Sequence, residues 1–165
     1  MAQNDQAQLI RLRNSGLDFV VIGGVCVAYH GAPLATFDLD ICCPLGEENA
    51  RKIESALADL RPVHRLTVNK LPLEMTRENF GQLKNICLQT DLGKLDCLSA
   101  VSGVGNFDEV KKKTVTANMS YGEFHFLNID ALIASNLAAG RGRDLDAVRR
   151  LVAIKEKKQQ QTELL

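Results

Sequence analysis

FVVIGGVCVAYHGAPLATFDLDICC, residues 19–43, decides how the rest of this chain is read. Asp18 to Ile22 is a β-branched, largely apolar run bounded by glycine, which predicts a buried strand over 18–22. Gly23 and Gly24 end that strand. Val25 to His30 then read as a short helix closed by Gly31 and Pro33. In FDLDICC, residues 37–43, Phe37, Leu39 and Ile41 alternate with Asp38 and Asp40. Strand side chains alternate with period two, so the apolar groups face one way and the two carboxylates the other.

Carboxylates at i and i+2 on a strand stand about 6–7 Å apart at the backbone and can converge on divalent cations. Mg²⁺ prefers hard oxygen ligands and keeps waters for substrate phosphates. In two-metal phosphoryl chemistry, bridging carboxylates hold cations that stabilise attacking and leaving oxygens together. A lone Asp-x-Asp also fits a solvated sheet face, and at this point both readings stand. Asp96 adds a third carboxylate. It lies between Leu95 and Cys97 in an apolar strand, where a charge is costly unless paired or bound to metal. Asp91 is its rival, but it precedes Gly93 in a turn and differs from Asp96 by an odd spacing, so it belongs on another face or off the sheet. The glycine pair completes the pattern. A strand that opens through Gly-Gly into a helix presents free backbone N–H groups and lets a phosphate approach closely.

Outside this stretch, residues 5–15 predict an amphipathic helix stopped by Gly16, and 47–60 a helix with Ala50, Ile53, Ala56, Leu57 and Leu60 on one stripe. HRLTV, 64–68, reads as a strand, and Pro72 to Phe80 as a loop or single turn. NICLQT and KLDCLSAV flank the turn TDLGK as a hairpin, VGNFDEVKKK reads as a short helix or turn, and TVTANMSY and EFHFLN pair across Gly122. IDALIASNLAAG and RDLDAVRRLVAIKEKK are two helices separated at Gly140, and the tail QQQTELL frays. Strands mixed with helices packed on the sheet make an α/β (α+β) fold.

The 165 residues suit one domain, and a chain of this length buries roughly 70% of its unfolded surface. Hydrophobic residues at 45% and charged residues at 24% are the profile of a globular protein and exclude a disordered or fibrous chain. Net charge is zero, so there is no general attraction for polyanions. Between Arg141 and Lys158, however, seven Lys or Arg face only Asp144, Asp146 and Glu156. That run is either a solvated helix face or a surface that receives phosphates. Cys26, Cys42, Cys43, Cys87 and Cys97 show no C-x-x-C spacing and sit among Val, Ile and Leu, as core thiols do. MAQNDQAQ lacks a signal pattern and no apolar stretch is long enough for a membrane span, so a cytoplasmic location is the default. His30 reads as a helix-end residue whose positive charge suits that terminus, and His64 and His125 have no partners at metal spacing.

The apolar–Gly–Gly at 22–24, the thirteen residues from Gly24 to Asp38, the Asp-x-Asp and the later LDC at 95–97 resemble the signature of the nucleotidyltransferase superfamily, with its DNA polymerase beta-like fold. HGAPLATFDLD looks like the corresponding segment of small bacterial nucleotidyltransferases and AbiEii-type toxin proteins, and residues 129–151 are similar to the helix–turn–helix that closes them. The resemblance implies a mixed-sheet nucleotidyltransferase fold and one domain over 1–165, with 128–158 as a C-terminal helical pair. It implies that Asp38 and Asp40 hold two Mg²⁺ ions, and that Asp96 binds the catalytic ion and helps activate an acceptor hydroxyl. Gly23 and Gly24 would cradle the β- and γ-phosphates, Thr36 would shape the loop, and Arg143 and Arg141 would reach the triphosphate. The implied reaction is Mg²⁺-dependent transfer of a nucleoside monophosphate from a nucleoside triphosphate to a protein or RNA acceptor, in a toxin-like setting. The alternative is a catalytically silent nucleotide- or partner-binding protein on the same fold. An antitoxin-like partner protein and a homo-oligomer are compatible with either, and no membrane is. The pattern departs from relatives at Leu34 and Asn136, where many carry a basic residue, and at Gly24, where other branches carry Ser.

Overall fold

The computed structural model describes residues 3–32, 34–74 and 83–164. Among them the strands are β1 Val20–Ile22, β2 Asp38–Cys42, β3 Val63–His64, β4 Asn85–Thr90, β5 Gly93–Leu98, β6 Ala100–Val101, β7 Gly105–Asn106, β8 Thr114–Met119 and β9 Gly122–Leu127. The α-helices are α1 Asp5–Asn14, α2 Gly23–Tyr29, α3 Glu47–Leu57, α4 Phe107–Lys111, α5 Ile129–Ala139 and α6 Gly142–Glu163. Seven strands form one mixed sheet in the order β3-β4-β5-β2-β1-β9-β8, and β6 and β7 form a separate small hairpin. β2 runs parallel to β5 and antiparallel to β1, while β1 runs parallel to β9.

Local chemistry explains the element ends. The Asn4 side chain accepts the Ala7 N–H at the start of α1, with Asp5 in the first turn and Arg11 and Arg13 in the last, matching the helix dipole. Asn128 caps α5 in the same way, accepting from the Ala131 N–H. Gly140 ends that helix at φ +65°, a conformation that a side chain disfavours. The stripe anticipated on α3 buries Ala50, Ile53 and Leu57, and a 3-10 turn, Ala58–Leu60, follows. α1 packs against α3, and α5 against α6.

The core runs under the sheet's central strands. Val20, Val21, Leu39, Ile41, Leu95 and Cys97 are all fully buried, each large aliphatic side chain contributing about 1.5–3 kcal/mol by leaving water. Phe37 departs from the alternating pattern: it is 69% exposed. The β2–β5 ladder starts at Asp38, opposite Lys94, so Phe37 extends past the paired sheet. Two other expectations also change. Of the 64–68 region only His64 pairs as strand, together with Val63 before it, and the chain then turns through Thr67 to Lys70. The tail does not fray at residue 159, because α6 continues as helix to Glu163. Pro33 and most of the loop assigned to 72–80 lie outside the described residues; Pro72 itself bridges back to Val63.

Candidate functional site

Register assembles the acidic residues. β2 and β5 are parallel neighbours with Asp40 directly opposite Asp96. Burial of Leu39, Ile41, Leu95 and Cys97 on one face turns Asp38, Asp40 and Asp96 onto the other. One carboxylate oxygen from each of the three lies within 4.8 Å of the others. The Asp40 carboxyl is pushed up to about 7, first by burial, then by Asp38 and Asp96, while Arg143 and Arg65 pull the other way.

The glycine pair stands directly over this cluster. β1 pairs Ile22 with Asp40, so the next residue, Gly23, passes above the Asp40 carboxylate. Gly23 has φ +63°, and a Cβ there would come within 2.8 Å of Asp40 Cγ. At Gly24 a Cβ would meet Thr36 Oγ1 at 2.7 Å. The Thr36 hydroxyl is itself engaged, donating to the Asp38 carbonyl at 2.9 Å and fixing the approach to β2. α2 begins within the glycine pair, earlier than its apolar residues suggest.

Triad, glycines and Thr36 line one cavity of about 780 Å³. Its far wall comes from α5 and α6, where Asn136, Arg141 and Arg143 face it, and Leu34 lines it as well. The basic run therefore divides. Its first two arginines reach the cavity, whereas Arg150 pairs with Asp146 at 3.3 Å and Lys155 with Asp130 at 2.6 Å on the exposed surface. Arg141 is the less free of the two. Its Nε donates to buried Asp144 at 2.7 Å, and Asp144 accepts the Arg141 backbone N–H, closing a capping box. Arg143 lies 4.0 Å from Asp144 and is largely exposed.

Arg65 is the site residue that sequence reasoning missed. It follows β3, and its backbone N–H donates to the Cys87 carbonyl on β4 at 3.0 Å. Its guanidinium forks onto Asp96, Nε to Oδ1 at 3.1 Å and Nη2 to Oδ2, and Nη2 also lies 3.8 Å from Asp38. No spacing rule connects Arg65 to Asp96; only the β3–β4–β5 order does. Asp144 was likewise not singled out. Asp91, the discounted carboxylate, pairs with Arg61 at 2.8 Å away from the triad. His30 caps α2 as anticipated. Its Nε2 lies 2.8 Å from the Leu127 carbonyl, and burial lowers its pKa. The five cysteines are free, four of them buried, and Cys87 is half-buried beside Asp96.

No family model and no curated protein matches the chain. Solved structures do. A provisionally assigned nucleotidyltransferase from Thermotoga maritima superposes with TM-score 0.51 at 19% identity, covering 88% of each chain. The antibiotic-modifying enzyme ANT(2'')-Ia, in complex with adenylyl-2''-tobramycin, gives 0.56 at 14% identity over 89% of this chain and 84% of that one. The lincosamide antibiotic adenylyltransferase LnuA, lincomycin-bound, gives 0.57 at 13% identity over 93% and 99%. The chain has the nucleotidyltransferase fold.

Proposed function

We propose that this protein transfers a nucleoside monophosphate from a nucleoside triphosphate to an acceptor hydroxyl, with Asp38, Asp40 and Asp96 as its metal-binding carboxylates. The observation that carries the reading is the convergence of the three carboxylates beneath Gly23, inside the cavity that Arg143 also faces. The donor set fits Mg²⁺: all-oxygen, drawn from three carboxyl groups, and built at an electrostatic cost that shows as the raised Asp40 pKa. Bound there, two Mg²⁺ ions would supply charge stabilisation for an in-line displacement at phosphorus.

The chain's own residues orient and confine the reactants. Gly23 and Gly24 let the β- and γ-phosphates approach the backbone, and Thr36 holds the loop that leads into Asp38. Arg143, and Arg141 where Asp144 allows, meet the triphosphate charge from α6. The acceptor oxygen forms a bond to the α-phosphorus, the bond to the bridging oxygen breaks, and pyrophosphate leaves with that electron pair. Asp96 takes the acceptor proton. Positioning and preorganised charge supply the acceleration. A protein or RNA acceptor and an antitoxin-like partner rest on the sequence resemblance, and a cytoplasmic setting is the default taken with them. The assignment of 1–165 to one domain, with 128–158 as its helical pair, rests on the resemblance as well.

Titration of each nucleoside triphosphate, with and without Mg²⁺, on wild type and Asp38→Ala/Asp40→Ala tests this. The expected result is Mg²⁺-dependent binding that the double variant loses. Equal binding and equal transfer in the two proteins refute it. A silent nucleotide-binding protein is the second reading. Asn136 favours it, since its amide donates to the Leu132 carbonyl at 2.8 Å and it adds no charge to the wall. Sustained pyrophosphate release excludes that reading.

A further inference from the structure

The cavity holds a cation of its own. Asp96 has both oxygens engaged by Arg65, and the same guanidinium nitrogen reaches toward Asp38. A carboxylate held bidentately by Arg has given up about half of its roughly four acceptor sites, which leaves fewer for a metal or an acceptor hydroxyl. Arg65 is also pinned from behind. Its N–H is bonded to Cys87, the residue directly opposite Asp96 on β4, so the side chain projects along the β4–β5 edge of the triad. Gly23, by contrast, approaches from the β1 side. Arg65 and the glycine pair thus flank the carboxylates from opposite sides.

We propose that Arg65 is a positioning residue that competes with metal for the triad: guanidinium and divalent cation exclude one another at Asp96, so Arg65 sets how tightly the protein takes metal. The inference rests on the metal-site reading above. Three carboxylates within 4.8 Å of one another need a counter-charge. Among the described residues, Arg65 is the side chain that supplies it by direct contact. A cation entering beside Asp96 meets the guanidinium at ion-pair distance and is repelled by it. Arg65 must swing off, and its planar fork of donors then faces the cavity, free for an anionic group of the reactants.

The test is Mn²⁺ binding followed by electron paramagnetic resonance without nucleotide, on wild type, Arg65→Gln and Arg65→Lys, with thermal melts in chelator and in Mn²⁺. Arg65→Gln is expected to bind Mn²⁺ about tenfold more tightly or better, yet to melt lower than wild type in chelator, with that deficit closed by Mn²⁺. Arg65→Lys keeps the charge without the fork and is expected to fall between. A merely structural role would lower stability in both conditions and leave Mn²⁺ affinity unchanged or weaker. Equal or weaker Mn²⁺ binding in Arg65→Gln, while wild type binds, overturns the inference alone. No Mn²⁺ binding in any folded variant overturns the metal-site reading and this inference with it. If Arg65→Gln fails to fold, Arg65→Lys decides: no gain in affinity over wild type counts against the proposal.

Discussion

Replacing Asp40 by Asn should make the metal-free protein more stable. In the folded chain the Asp40 carboxyl is pushed from 3.8 to about 7 by burial and by its two acidic neighbours. The sign follows from proton binding. Between these values the folded state keeps a proton that the unfolded chain has released, so stability falls as pH rises from about 4 to about 7 and levels off above. A shift of this size corresponds to at most about 4 kcal/mol at pH 8. Partial solvation and relaxation reduce that, and about 2 kcal/mol is a fair expectation for Asp40→Asn, roughly 4–8 °C in Tm for a chain of this size. Thermal melts of both proteins in chelator should show the gap at pH 8 and less than half of it at pH 5. Adding Mg²⁺ with nucleoside triphosphate should raise the Tm of wild type and leave Asp40→Asn unmoved. If Asn is neutral or destabilising in chelator at pH 8, the picture of Asp40 as a strained, metal-awaiting carboxylate is wrong.

Three further outcomes are expected. Gly23→Ala should lose about 1–3 kcal/mol, because φ +63° is strained for alanine and its Cβ would intrude on Asp40; a melt checks the stability, and Mn²⁺ titration should show weakened binding. Arg143→Ala should leave the melt in chelator within about 0.5 kcal/mol of wild type, as expected of an exposed residue. Its nucleoside triphosphate affinity by calorimetry should nonetheless fall about tenfold, the scale of one lost charge-assisted hydrogen bond. Leu39→Ala should cost about 2–5 kcal/mol in chemical denaturation, since Leu39 is fully buried between the two aspartates that it orients.

What was legible in the sequence was local periodicity plus glycine. Asp38 and Asp40 declare a face because Leu39 and Ile41 between and beside them are apolar, and the Gly pair declares a strand-to-helix junction, where a Cβ on Gly23 would strike Asp40 and one on Gly24 would strike Thr36. Asp96 was separable from Asp91 by its apolar flanks, by the turn at Gly93 and by parity, and the register sets it opposite Asp40. Arg65 was not legible. It lies after a two-residue strand, and its partner becomes a neighbour only through strand order. Phe37 misled for a related reason: alternation predicts which way a side chain points, not whether the sheet continues far enough to cover it. The division of the basic run also needed three dimensions, since Arg143 and Arg150 differ in where α6 carries them rather than in their neighbours along the chain.

The order of the central strands has a consequence for how the protein comes into being. β1 and β2 form an early antiparallel pair, but Asp40 meets Asp96 only when β5 docks, and β1 gains its other neighbour only from β9. Such distant pairings close large loops and are slow to form. During synthesis, then, the first half of the chain emerges with an apolar, unpaired strand edge and with two aspartates that lack their third. Metal affinity would arrive only when β5 docks on β2, and a refolding experiment in Mn²⁺ could use it as a clock for that pairing.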